Sequence, residues 1–229
     1  MADISNPQRL NGITLFSGLS PEAIAEIEAL CVWHRFAEGE QVFDQEHKGR
    51  DVFFLAAGAV RVLTYTQTRR EVALANVLAG DYFGELAAID GKGRSARVIA
   101  VEDSLIASLP GQTFMDLMYK YPSIGVGLIN RFAFIIRVLN ARVTDLSTLT
   151  ENQRVLAELV RIAKPDPKRP GIWLISSLPN HKEIASWAGT TRDVVAQTIG
   201  ELARDGVVER RTMGLLIKDW GRLQLMARV

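Results

Sequence analysis

The sequence predicts an α+β protein in three parts. These are an N-terminal β-roll of jelly-roll type, one long helix, and a C-terminal winged helix-turn-helix. Three observations lead there. Short β-rich runs punctuated by glycine fill Trp33 to Leu109. A helical pattern opens at Pro122 and continues to about Ser147. Two short helical segments then flank Gly189, followed by two apolar runs joined through Met213-Gly214. The expected boundaries are residues 1–121 for the roll, 122–149 for the long helix and hinge, and 150–229 for the winged helix.

Ser20-Pro21-Glu22 reads as a helix start, with Ser as N-cap, Pro in the first turn and Glu at the positive end of the dipole. This helix is expected to reach about Val32. Strands are expected at Asp51–Ala56, Ala59–Thr66, Glu71–Val77, Arg97–Val101 and Ser104–Leu109, with Gly39, Gly49, Gly58, Gly80 and Gly91 between them. Many short strands at near-regular spacing indicate a sandwich or barrel.

The helix from Pro122 spans roughly 39 Å at 1.5 Å per residue. Leu128, Phe132, Ile135, Leu139, Arg142, Leu146 and Leu149 recur at alternating spacings of four and three, a coiled-coil seam with one charged interruption. Such a helix either pairs with its copy in a homodimer or packs on its own domain. Arg142 either registers that pairing or snorkels outward. Thr150-Glu151-Asn152-Gln153 has the spacing of a capping box and opens the next helix, which puts a hinge at Thr150. Pro165 to Gly171 is a stiff surface loop.

Nearly half of the 229 residues are hydrophobic, so a buried core is easily supplied. Net charge is only +1, but it is unevenly spread. Residues 1–149 carry 14 basic and 17 acidic side chains, net −3; residues 150–229 carry 13 and 9, net +4. That asymmetry suggests that the C-terminal part meets nucleic acid. The lone Cys31 lies in an apolar run and packs as a small hydrophobe. A single cysteine excludes an internal disulfide and a four-cysteine cluster within one chain. The polar N-terminus lacks a signal-peptide core, and no apolar run is expected to span a membrane. A soluble protein of the reducing cytoplasm is the expectation.

Asn180 to Gly189 reads as one short helix with an Asn cap, Glu183 three residues on, and a glycine turn. Thr190 is expected to cap a second helix running from Thr191 to about Arg204, ended by Gly206. At about 100° per residue, Arg192, Asp193, Ala196, Gln197 and Gly200 share one arc, opposite Val194, Val195, Ile199 and Leu202. Arg can fork to guanine, Asp can accept from cytosine and Gln can pair with adenine. Val207 to Arg210 and Leu215 to Lys218 form the wing. Candidate DNA contacts are His181, Lys182, Thr191, Arg192, Asp193, Gln197, Arg210 and Arg211.

The roll carries Gly80-Asp81-Tyr82-Phe83-Gly84-Glu85-Leu86, then Arg94-Ser95-Ala96. Arg94 offers a planar fork suited to phosphate, Ser95 a hydroxyl, and the turn after Phe83 free backbone N–H groups. Glu85 is an acceptor suited to a ribose hydroxyl. Together these residues form a cradle for a small ribose phosphate. The alternative is an ordinary Glu85–Arg94 surface salt bridge beside a β-turn.

From Phe16 to Ile217 the chain resembles the CRP/FNR family of bacterial transcription regulators. Phe83-Gly84-Glu85-Leu86 with Arg94-Ser95-Ala96 matches its phosphate-binding cassette. Glu183-Ile184-Ala185, Gly189, Thr191-Arg192-Asp193 and Val195 match its DNA motif. The resemblance implies a homodimer that binds a cyclic nucleotide as allosteric ligand, then a palindromic double-stranded operator, and contacts RNA polymerase. Arg94 and Ser95 would hold the cyclic phosphate, Glu85 the ribose hydroxyl, and the Gly84 backbone would line the pocket beside Phe83 and Leu86. Where the family's type member presents a Thr-Ser pair to the base, this chain has Leu139-Asn140. Asn140 can meet adenine N6 or guanine O6, or bond the partner helix. Cyclic AMP is preferred and cyclic GMP is retained; a different effector, or none, is the alternative. A regulatory subunit acting on a protein partner is a further alternative, which the winged helix argues against. The family often shows Arg-Glu and a second Arg four residues on; Arg192-Asp193 with Gln197 implies a different operator. His34 and His47 have no ligand spacing, so neither a metal nor a prosthetic group is expected. No nucleophile–base constellation suggests an enzyme.

Overall fold

The computed structural model describes residues 10–65, 71–167, 169–212 and 214–228. Thr66 at the end of an expected strand, Lys168 in the proline-rich loop and Met213 in the wing turn lie outside them. The chain divides into two units, one up to Ile135 and one from Ile136, so the division falls within the long helix.

The first unit opens with two 3₁₀ turns and helix α1 (Pro21–Ala29), where Ser20 Oγ accepts from the Ala23 N–H. Strands β1 (Val32–Phe36), β2 (Gln41–Phe43), β3 (Val52–Ala57), β4 (Ala59–Tyr65), β5 (Glu71–Leu78) and β6 (Tyr82–Phe83) follow. The short helix α2 (Glu85–Asp90) precedes β7 (Arg97–Ala100), β8 (Ser104–Leu109) and helix α3 (Gly111–Lys120). Two antiparallel four-stranded sheets result, in orders β1-β8-β3-β6 and β2-β7-β4-β5.

Strand alternation builds the core. Phe53 and Leu55 of β3 turn inward to meet Phe43, Val60, Val77 and Val98 of the other sheet. Val52 and Phe54 turn outward against Phe16, Ile27 and Phe114, and against Ile124 and Leu128 at the start of the long helix. Both faces of β8 are therefore covered, and all six of its residues are buried.

Helix α1 ends at Ala29, short of the expected Val32. Val32 instead pairs opposite Ser108 of β8, because the open edge of that sheet takes the β-branched and aromatic run Val32-Trp33 into a ladder. Helix α3 was not expected; it opens at Gly111 after Pro110 with no side-chain cap.

Helix α4 runs Pro122–Thr148. Against expectation, it is long and apolar enough to cross a membrane by length and composition. The expected seam is also partly used by the chain itself. Leu128 is buried and Phe132 packs against the first unit's core, while Arg142 pairs with Glu158. Ile135, Leu139 and Leu146 of that seam are exposed, and so is a neighbouring stripe of Val126, Ile129, Ala133, Ile136, Asn140, Val143 and Ser147, again at alternating spacings of three and four.

The second unit comprises the end of α4, then α5 (Glu151–Ile162), β9 (Lys164–Pro165), β10 (Trp173–Ile175), α6 (His181–Ala188), α7 (Arg192–Arg204), β11 (Val208–Arg210), β12 (Leu215–Ile217) and α8 (Trp220–Met226). Capping boxes open α5 at Thr150 and α6 at Asn180, as their spacings predict. The cap of α7 is Thr191, not Thr190: the Thr190 hydroxyl donates to Glu151 at 3.0 Å, while Thr191 accepts from the Val194 N–H. Val155, Leu159, Ile184, Val195, Ile199, Leu202, Ile217 and Leu223 share one core. The wing is not a two-stranded hairpin alone. Its sheet has order β11-β12-β10-β9, since Trp173–Ile175 pairs with β12 and part of the proline-rich stretch pairs with β10. Trp173 stacks on Trp220 at 3.9 Å.

Candidate functional site: a phosphate cradle in the roll and a helix-turn-helix

Phe83 ends β6 and stacks on Phe53 with ring centroids 5.3 Å apart. The chain then turns through Gly84, whose φ of 84° belongs to the left-handed region that favours glycine. A Cβ there would lie 2.8 Å from Arg94 Nη1, so the backbone approaches the arginine closely only because no side chain intervenes. Arg94 Nη1 donates to the Gly84 carbonyl at 3.0 Å. Its guanidinium lies over the Phe43 and Phe53 rings, 4.4 and 5.1 Å from their centroids.

Arg94 is only 4% exposed, and its Nε has no hydrogen-bond partner among the described residues. Burial pulls the guanidinium below its ordinary pKa, opposed by Asp51 and Glu85. Glu85 is likewise buried, and burial raises its carboxyl above the usual range. Its own backbone hydrogen bond and the charges of Arg131 and Arg94 oppose the rise. The alternative of a surface Glu85–Arg94 salt bridge is not realised: both side chains are buried, and Arg94 bonds the Gly84 carbonyl instead.

A cavity of about 190 Å³ opens here, lined by Phe83, Gly84, Glu85, Leu86, Arg94 and Ser95 among others. All six roll residues singled out for the ligand thus share one cavity. A buried cation with an orphaned N–H and a side-chain-free glycine beside it fits an anionic group small enough to enter, such as a cyclic phosphate. Leu139 and Asn140 are exposed positions of α4 in the second unit and are not among the lining residues.

Sequence reasoning passed over Tyr82, Arg131 and Ile135, which also line the cavity. Arg131 of α4 forms an ion pair with Asp81 and lies 4.6 Å from the Tyr82 ring centroid. Asp81 stands 50 residues away in the chain. The available signal was an arginine within an apolar helix, which requires a partner.

In the second unit the two helices around Gly189 form the helix-turn-helix. Gly189 has a φ of 59° and its N–H returns to the end of α6. Arg154 of α5, also passed over, donates to the carbonyls of Ala188, Gly189 and Leu149 at 2.6, 2.9 and 3.0 Å, which pins that turn to the start of α5. Along α7, Val195, Ile199 and Leu202 are buried and Arg192, Asp193 and Gln197 exposed, as the helical arc predicts, while Val194, Ala196 and Gly200 are half-buried; Thr198 is buried and Thr191 exposed. Gln197 donates to Glu201 at 3.0 Å. Lys182 and Arg210 are exposed, and Arg211 is tied to Glu209 at 2.8 Å. Burial, then the charges of Arg210 and Arg192, lower the pKa of His181, so it stands neutral at pH 7 within a basic neighbourhood.

Residues 33–121 match the family model of the cyclic nucleotide-binding domain, and residues 153–226 that of the Crp-like helix-turn-helix domain. The chain belongs to the CRP family of transcription regulators. It is 28% identical over 199 residues to the cyclic AMP receptor protein of Thermus thermophilus, covering 87% of this chain and 89% of that one. It is 24% identical over 215 residues to a CRP-like cAMP-activated global transcriptional regulator of Mycobacterium tuberculosis, covering 93% and 96%. The crystal structure of the Thermus thermophilus catabolite activator protein superposes with a TM-score of 0.55 at 26% identity, over 93% of this chain and 97% of that one. In this CRP-family chain the cyclic nucleotide-binding domain contains the Gly84–Arg94 cradle, and the helix-turn-helix domain contains α6 and α7.

Proposed function

We propose that this CRP-family regulator is a homodimer that binds cyclic AMP, with cyclic GMP as the second candidate, and then binds a palindromic operator. The observation that carries the ligand is Arg94: a buried guanidinium, its Nε unpartnered among the described residues, in a cavity shared with Ser95 and Glu85. A cyclic phosphate supplies the missing acceptor. Ser95 adds a hydroxyl to it, and Glu85 accepts from the ribose hydroxyl. The names of the Thermus and Mycobacterium relatives favour cyclic AMP.

The exposed seam of α4 supports pairing with a second copy. Val126, Ile129, Ile136 and Val143 present exposed apolar side chains, and Asn140 sits within the same stripe. A single polar residue in such a seam fixes register. Two helix-turn-helix units on one dimer read half-sites about one DNA turn apart, roughly 34 Å. Arg192, Asp193 and Gln197 meet base edges; His181, Lys182, Thr191, Arg210 and Arg211 meet the backbone. The Pro165–Gly171 loop is offered as a surface for RNA polymerase, and the cytoplasm is the setting.

Ligand control requires different affinity for two states of the protein. The ion pair of Asp81 with Arg131 supplies a link, since Asp81 directly precedes the β6 strand leading into the cradle and Arg131 belongs to α4. A ligand that reshapes the cradle therefore pulls on the long helix.

Leu139, which has no hydroxyl to offer a base, favours the second reading, a CRP-family regulator with another effector or none. Calorimetric titration with cyclic AMP and cyclic GMP, on the natural chain and on Arg94→Ala, separates the two. Binding of either nucleotide that is lost in Arg94→Ala supports the proposal. Binding of neither overturns the ligand.

A further inference from the structure

Tyr82 is 2% exposed and lines the same cavity as Arg94 and Glu85. Among the described residues its hydroxyl meets hydrogen-bond geometry with no partner. Leaving a buried polar group unpaired is costly, and native folds retain few such groups. Packing does not need the hydroxyl. The ring belongs to the apolar cluster of Phe54, Ala107, Leu109 and Leu128, where phenylalanine would serve equally. On its other side the ring meets the Arg131 guanidinium, which Asp81 holds in place. The Arg131 guanidinium stands close enough to oppose the effect of burial on the hydroxyl, but it does not meet hydrogen-bond geometry with it. Burial pushes the Tyr82 pKa up to about 12, so the group remains a protonated donor across the physiological range.

The rest of the cavity is already assigned by chemistry. Arg94 and Ser95 suit the phosphate, and Glu85, an acceptor, suits a sugar hydroxyl. What the ligand still lacks is a donor for the acceptors of its nucleoside part, and what the cavity still holds is an unused donor. We propose that the Tyr82 hydroxyl is a ligand-binding group that donates to an oxygen or ring nitrogen of the nucleoside. Arg131 and Asp81 act as positioning residues that fix the ring. The proposal rests on the cyclic-nucleotide reading above.

Tyr82→Phe removes the hydroxyl and leaves the ring. Calorimetry of the full chain with cyclic AMP and cyclic GMP should show affinity for the better-bound nucleotide about tenfold weaker in Tyr82→Phe, the loss of roughly one buried hydrogen bond. Thermal unfolding of the ligand-free variant should be unchanged or shifted upward, because an unsatisfied buried group has been removed. A hydroxyl with a merely structural role gives the opposite pattern, lower stability with unchanged affinity. Unchanged affinity overturns the proposal while leaving the cyclic-nucleotide reading intact. If the natural chain takes up neither nucleotide, that reading fails, visibly and before any variant is compared, and the proposal fails with it.

Discussion

Arg142 and Glu158 meet as a two-pronged ion pair, Nε to Oε1 and Nη2 to Oε2, each 2.9 Å. Glu158 is 1% exposed and also accepts from Arg161 at 2.6 Å, while Arg161 reaches on to Asp145. The Arg142 guanidinium lies 5.6 Å from the Trp187 ring centroid. One buried carboxylate thus ties the last turns of α4 to α5, and through Arg142 to the first helix of the DNA motif. Removing it leaves the half-buried Arg142 without its carboxylate and Arg161 with Asp145 alone. Glu158→Ala should lower the stability of the second unit by about 3 kcal/mol, measured by urea unfolding. A loss below 1 kcal/mol would mean that water already screens the pair.

Glu85 places a pH signature on the ligand-free protein. Its carboxyl is raised by burial above the unfolded value of 4.5. The folded state therefore holds the proton more tightly than the unfolded one, and the stability associated with it is complete below about 4.5. That stability is lost as pH rises through the folded value. Glu85→Gln should therefore be more stable than the natural chain at pH 7, with the difference shrinking toward pH 4. At the same time it should bind cyclic nucleotide more weakly, through the ribose hydroxyl. Thermal melts across this range check the sign.

Gly84→Ala tests the close approach in the cradle. The new Cβ meets Arg94 Nη1 at 2.8 Å and the Asp51 carbonyl at 3.1 Å, at a φ of +84°. Left-handed backbone alone costs a non-glycine residue about 1–2 kcal/mol. The expected outcome is a melting temperature lower by a few degrees and no measurable cyclic nucleotide binding, because the arginine is displaced.

The proposed pairing predicts that Ile136→Lys, on the exposed face of α4, yields a folded monomer of 25.3 kDa in sedimentation velocity. Leu139→Lys, on the face the sequence alone would favour, should disturb assembly less. The reverse ranking would favour the seam of Leu139 and Leu146 instead.

The local chemistry was open to reading because its signals are short. Thr150 with Gln153 and Asn180 with Glu183 announce helix starts within four residues, and both caps form. Gly84, Glu85, Arg94 and Ser95 lie within a dozen residues, and they share one cavity. What escaped depends on residues brought together from afar. Arg142 read as a seam position because its partner Glu158 lies on the next helix, and a heptad count assigns a position without naming its neighbour. Arg131 and Asp81 are 50 residues apart. Helix α3 has neither a side-chain cap nor an acidic first turn. The edge strand β1 follows an apolar helix directly, and periodicity alone does not separate the two at Val32.

The central claim is that a cyclic nucleotide controls DNA binding. Duplexes selected by the protein from a random-sequence pool in the presence of cyclic AMP provide the probe. Fluorescence anisotropy then compares affinity for the best duplex with and without cyclic AMP, at one fixed salt concentration. The account predicts a two-fold symmetric site bound at least about tenfold more tightly with the nucleotide, and loss of that difference in Arg94→Ala. Equal affinity with and without cyclic AMP in the natural chain contradicts it.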